Sequence, residues 1–96
     1  MIYDWDPEKA KRNVREHGVS FEEAATVSLD PLAMTYSDPD HSDEEDREIT
    51  ISYSTKQQVL FVSHVQRRNR RRILSARDAN RRERMQHEEG VGKENG

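Results

Sequence analysis

Arg47-Glu48-Ile49-Thr50-Ile51-Ser52-Tyr53-Ser54, Val59-Leu60-Phe61-Val62-Ser63-His64-Val65 and Arg70-Arg71-Arg72-Ile73-Leu74-Ser75 are three β-type runs separated by short turns, and they decide the fold. The first alternates, with Ile49, Ile51 and Tyr53 on one face, as a half-covered strand does. The second is apolar on both faces and reads as the central strand. Thr55 to Gln58 joins these two as a hairpin, and Arg67-Arg68-Asn69 is the next turn. Leu32 to Ser37 is a further strand. Between it and Arg47, the stretch Asp38 to Asp46 holds six acids, one proline and no apolar residue, the composition of an exposed loop.

Upstream of the strands, Ile2 to Trp5 alternates as a first strand, and Asp6-Pro7 reads as an N-cap followed by proline at the first helical position. That helix should run to about His17, where Gly18 ends it. Ser20-Phe21-Glu22-Glu23 has the form of a capping box in which Ser20 and Glu23 satisfy each other's backbone donors, with Val19 and Ala24 as its hydrophobic staple. The second helix should reach about Ser28, before Asp30-Pro31. After the last strand, a helix is expected from Ala76 or Arg77 to Glu89, and the tail from Gly90 to Gly96 is expected to be disordered. The order strand, helix, helix, strands, helix gives one α+β domain over residues 1–89, with a mostly antiparallel sheet and helices covering one face.

The chain has 96 residues, 31% hydrophobic and 36% charged, so its core must be thin. Its stability is expected near the low end of the usual ~5–15 kcal/mol. It has no cysteine, which removes disulfides and thiolate zinc sites and suits a reducing cytoplasm. No stretch approaches a membrane span, and the start lacks the basic and apolar regions of a signal peptide.

Although the formal net charge is −3, nine arginines stand against two acids between Arg67 and Arg84. That concentration points to phosphate or carboxylate on a partner. Strict alternation puts Arg70 and Arg72 on one strand face with Leu74, and Arg71 on the other with Ile73 and Ser75. Arg77, Arg81 and Arg84, at i, i+4 and i+7, would form a basic helical stripe able to follow a phosphate backbone. A solvated helix face with local Arg–Glu pairs, Glu83 among them, is the plainer reading of the helix alone.

His64 is a candidate general base, because nearby arginines disfavour its charged form. A half-buried imidazole bonded to a backbone carbonyl is the alternative. Lys9, Asn13 and His17 share a helix face and can line a groove, or simply face water. The acidic loop lacks the glycine and terminal glutamate of a calcium loop, and no paired-histidine zinc spacing occurs. Neutralising the arginines suits it better. Serine or cysteine nucleophile systems, phosphate-binding glycine loops and dinucleotide fingerprints are absent from the sequence.

Trp5-Asp6-Pro7-Glu8-Lys9-Ala10, His17-Gly18-Val19-Ser20-Phe21-Glu22-Glu23-Ala24, Asp30-Pro31, Asp38-Pro39-Asp40-His41-Ser42 and Ile73-Leu74-Ser75-Ala76-Arg77 line up together. In them the chain resembles the BrnT toxins, in one register over about residues 3 to 88. The resemblance implies a RelE-like fold with two N-terminal helices and a C-terminal helix, and a toxin that cleaves RNA without a metal or cofactor and blocks translation. It also implies a BrnA-like ribbon-helix-helix antitoxin, through which alone the pair would contact operator DNA. On that resemblance His64 would move a proton while Arg72 and Arg77 hold the scissile phosphate. Lys9, His17, Arg67, Arg70, Arg81 and Arg84 would bind RNA. The run Gln66-Arg67-Arg68-Asn69-Arg70-Arg71 departs from the family pattern, which favours an acid at the Gln66 position, a Gly-Asp-type turn at Arg68-Asn69 and an apolar residue at Arg71. These departures bring in a competing function, a catalytically weak or inactive module that binds RNA or an acidic partner. Direct DNA recognition by the last helix is a third reading, disfavoured by the acidic net charge.

Overall fold

The computed structural model describes residues 2–38, 40 and 46–95, with the backbone alone for 90–95. Five strands and three α-helices follow the chain as β1 (Ile2–Asp4), α1 (Pro7–His17), α2 (Phe21–Ala25) continued by a 3₁₀ turn (Thr26–Leu29), β2 (Met34–Ser37), β3 (Arg47–Tyr53), β4 (Val59–Arg67), β5 (Arg70–Asp78) and α3 (Arg81–Asn95). The sheet order is β1-β5-β4-β3-β2, with β1 parallel to β5 and every other pair antiparallel. The fold is α+β, as the order of elements along the sequence implied.

Local signals act largely as read. Asp6 accepts from the Glu8 N–H at 2.8 Å, and Pro7 opens α1. Gly18 closes it at φ +70°, the left-handed conformation that only glycine adopts cheaply, and its N–H reaches the Val14 carbonyl at 2.8 Å. Ser20 Oγ accepts from Glu23 N–H at 3.0 Å. The return half of that capping box does not form. Glu23 instead turns its buried carboxylate to Ser54 Oγ at 2.8 Å, with Lys56 Nζ at 3.9 Å, because this pins α2 to the β3–β4 hairpin.

The helices do not share one face of the sheet, which corrects the sequence expectation. Val19, Phe21, Ala24 and Val27 pack on Leu60, Val62, Ile73 and Ala76, so α1 and α2 cover the first face, with Trp5 edge-on to Phe21 at 6.0 Å. Ile49, Ile51, Val59 and Ala79 form a separate cluster with Phe61 on the second face. There α3 lies across the sheet, His87 meeting the Tyr53 ring at 5.9 Å. Thr50 and Ser52, alternating with Ile49, Ile51 and Tyr53 along β3, are buried as well, so that strand is covered on both sides rather than half-covered.

A second correction concerns where β5 ends. Pairing with β4 persists to Asp78 opposite Leu60, and the Ala79 N–H still donates to the Val59 carbonyl at 2.9 Å. Arg77 is therefore a strand residue, and the helix starts only at Arg81. Its start is a capping box the sequence reading missed: Asn80 Oδ1 accepts from Glu83 N–H at 2.8 Å while Glu83 Oε1 accepts from Asn80 N–H at 2.9 Å. The helical backbone passes Gly90, beyond the expected end at Glu89, and continues to Asn95.

Candidate functional site

A register shift in the β4–β5 ladder builds the site. Ser63 faces Ser75, but the next residue, His64, faces Ile73, so Leu74 is the extra residue of a bulge. Cross-strand partners share a face. Beyond the bulge the side-chain alternation of β5 is therefore inverted. Arg71 and Ile73 point to the first face, where Arg71 Nη1 lies 3.5 Å from Tyr3 Oη, while Arg70, Arg72, Ser75 and Arg77 all belong to the second face. Strict alternation would have parted Arg72 from Arg77. The bulge puts them on one face.

Three rows cross the second face. Asp4, Arg72, Val65 and Arg47 stand in register on β1, β5, β4 and β3. Ser75, Ser63, Ile49 and Tyr36 form the next row, and Arg77, Phe61, Ile51 and Met34 the third, at the edge of α3. Asp4 Oδ1 lies 3.7 Å from Arg72 Nη1, and Asp4 Oδ2 lies 3.7 Å from Arg70 Nη1. Both exceed hydrogen-bond length, so the carboxylate attracts the two guanidinium groups without using up their N–H donors. Between Arg47 and Arg72, Val65 is only 1% exposed, as expected where long arginine stems lie over an apolar floor.

At the other side Arg77 is firmly held. Its Nη1 and Nη2 donate to Glu83 Oε1 and Oε2 at 2.8 and 2.9 Å, and its guanidinium lies 4.0 Å above the Phe61 ring. This fork holds the Glu83 carboxyl below its usual range and raises Arg77 further. Tyr36, exposed on edge strand β2, has its phenol raised by burial and then by the Glu83 charge, so it keeps its proton at neutral pH.

The remaining candidate residues are spread over the fold. His64 is 0% exposed on the first face, where Nε2 pairs with Thr50 Oγ1 at 2.7 Å and Nδ1 lies 4.0 Å from Glu48 Oε1. Burial, then the Arg71 charge, pushes its imidazole down to about 4, so it is neutral near pH 7. It pairs with a threonine hydroxyl and does not meet Arg72. Lys9 and His17 are exposed on α1, the helix covering the first face. Asn13, which was to share their groove, is buried. Arg67 and Arg70 are cross-strand partners at the hairpin end, beside the Arg72 row. The expected stripe of Arg77, Arg81 and Arg84 is broken, because Arg77 is not helical and Arg84 Nη1 donates to the Ala79 carbonyl at 2.7 Å. Arg81 is exposed on α3.

The unusual turn has an internal logic. Arg68 takes φ +54°, and the Gln66 amide donates to its carbonyl at 2.9 Å while accepting from Arg71 Nε at 3.2 Å. A carboxylate at position 66 could accept from Arg71 but could not donate to Arg68. Gln66 thus ties the turn backbone to Arg71, and both side chains lie on the face away from Arg72. Asp4, Arg47, Tyr36 and Glu83 were not singled out from the sequence as parts of a site. The Asn80-to-Glu83 spacing was the readable signal for Glu83, whereas Asp4 becomes visible only through the parallel pairing of β1.

The family model described as "Ribonuclease toxin, BrnT, of type II toxin-antitoxin system" matches residues 5–83. Among solved structures, the crystal structure of the Brucella abortus ribonuclease toxin BrnT superposes with a TM-score of 0.66 at 18% identity, covering 84% of this chain and 100% of that one. No curated protein matches by sequence. The structural likeness speaks for the fold and the family model for kinship, and together they place the chain in the BrnT family of ribonuclease toxins of type II toxin–antitoxin systems.

Proposed function

We propose that this chain cleaves RNA on the second face of its sheet, without a metal, and so inhibits translation until a BrnA-like ribbon-helix-helix antitoxin binds it. The supporting observation is that Arg70, Arg72 and Arg77 lie on one face of the sheet, with Arg70 and Arg72 held near a carboxylate but not hydrogen-bonded to it. In this reading a ribose 2′-hydroxyl gives its proton to solvent and attacks the adjacent phosphorus, and the P–O5′ bond breaks as the 5′-oxygen takes a proton from water, giving a 2′,3′-cyclic phosphate and a 5′-hydroxyl. Arg72 stabilises the charge that develops on the non-bridging oxygens. Arg77 joins it when Glu83 yields one of its two hydrogen bonds. The exposed Tyr36 ring offers a stacking surface for a base of the same strand. Arg67, Arg70 and Arg81 add affinity for the backbone. His64 enters as a residue that shapes the sheet, because its imidazole is covered on the opposite face. The toxin–antitoxin complex, rather than the toxin alone, would reach operator DNA.

The BrnT family assignment carries an antitoxin partner with it, and no helix among the described residues is long and apolar enough to cross a membrane. A second reading, an RNA-binding module without catalysis, draws on one observation: both ends of the Arg77 fork already rest on Glu83. One experiment separates the two. The purified chain is incubated with end-labelled RNA and excess chelator, beside Arg72→Ala. Cleavage that survives the chelator and fails in the variant supports the ribonuclease. Salt-sensitive binding without cleavage supports the module.

A further inference from the structure

We infer that Asp4 is a positioning residue of this face: its carboxylate sets Arg70 and Arg72 side by side as a cradle for one phosphate of the RNA backbone. The inference rests on the ribonuclease reading above. Arg70 and Arg72 are two residues apart on one strand face, so their guanidinium groups repel each other and each has many rotamers to choose from. Asp4 is brought opposite Arg72 by the parallel pairing of β1 with β5. Each of its oxygens lies 3.7 Å from one guanidinium, Oδ1 from Arg72 and Oδ2 from Arg70. One anion thus anchors two cations.

Two further features favour positioning over simple stitching of the edge strand. A charge-assisted hydrogen bond would close to about 2.7–2.9 Å, and these contacts do not, so the donors stay available to a ligand. Asp4 Oδ1 is also sealed from solvent with no hydrogen-bond partner among the described residues, an arrangement that is costly and therefore unusual in a purely structural pair. Two positive groups and one negative leave one net positive charge, which matches the single negative charge of a phosphodiester.

The test is a steady-state comparison of the full chain with Asp4→Asn, Asp4→Glu, Arg72→Ala and the Asp4→Asn/Arg72→Ala double variant on one single-stranded RNA. Asp4→Asn should lower kcat about tenfold or more, since misplacing a phosphate-holding group is costly in rate. KM should stay level or fall, because removing a negative charge strengthens attraction for RNA. Asp4→Glu should recover most of the rate, and Asp4→Asn should cost several-fold less on the Arg72→Ala background than on the wild type, only the Arg70 contact being left to lose. An unchanged kcat, a loss carried by KM alone, or an Asp4→Asn chain that no longer folds would overturn the inference. A wild-type chain that does not cut RNA would instead overturn the reading beneath it, and the inference with it.

Discussion

Asn13 on α1 clasps the backbone of Ala76 on β5 from both sides. Its amide donates to the Ala76 carbonyl at 2.7 Å and its Oδ1 accepts from the Ala76 N–H at 3.1 Å, while a further bond runs to the Val19 carbonyl at 2.9 Å. The pair is buried, so no water can replace a lost partner. Asn13→Ala should therefore cost about 3 kcal/mol, the usual consequence of leaving buried backbone groups unpaired. Urea unfolding checks this, and a loss under about 1 kcal/mol would show that the clasp is dispensable.

His64 gives the fold an acid-sensitive element. Its folded pKa lies near 4, below the 6.5 of a free imidazole, so the unfolded chain takes up a proton that the folded chain refuses. The stabilisation is fully present above about pH 6.5 and is lost as pH falls from there towards 4, on the order of 3 kcal/mol less what Glu48 offsets. His64→Gln should flatten this part of the urea midpoint against pH. A wild-type midpoint that does not move between pH 7 and pH 5 would contradict the burial of the neutral ring.

The two faces of the sheet should behave differently towards RNA. Arg72→Ala should slow cleavage about a hundredfold or more, as expected for loss of one group that stabilises transition-state charge. Lys9 and His17 lie on α1, which covers the other face of the sheet, so Lys9→Ala and His17→Ala should stay within about twofold of wild type. Equal losses in all three variants would mean that RNA wraps both faces.

Glu83 both caps α3 and holds Arg77, so Glu83→Ala should cost about 1–2 kcal/mol. Its pKa is depressed in the folded state, hence this contribution is present above the ordinary glutamate range and is lost as pH falls through the folded value. Hydrogen exchange should show the loss in the amides at the start of α3. Freed from its partner, Arg77 should also bind RNA more tightly. Unchanged exchange in α3 would count against the cap.

The helix caps at Asp6, Gly18 and Ser20 and the strands from Arg47 to Val65 were legible because each depends on residues close in sequence. The placement of the arginines was not. Alternation along β5 is a local rule, and the bulge at Leu74 that inverts it comes from how β5 docks on Ser63 and His64, a tertiary matter. For the same reason Arg77 read as the start of a helix, since Ser75-Ala76-Arg77 carries no strong strand signal and only its pairing with Val62 and Phe61 keeps it extended. His64 was recognised as polar within an apolar run, but a sequence does not say which face of a strand a helix will cover.

The parallel pairing of Ile2–Asp4 with Arg70–Arg72 also orders events in time. During synthesis the first strand is made long before its neighbour, and it has no place in the sheet until the chain has grown past position 72 of 96. A contact between such distant positions is among the slowest to close. A product of translation interrupted before position 72 would hold Asp4 without Arg72, so the row that joins β1 to β5 could not form in it.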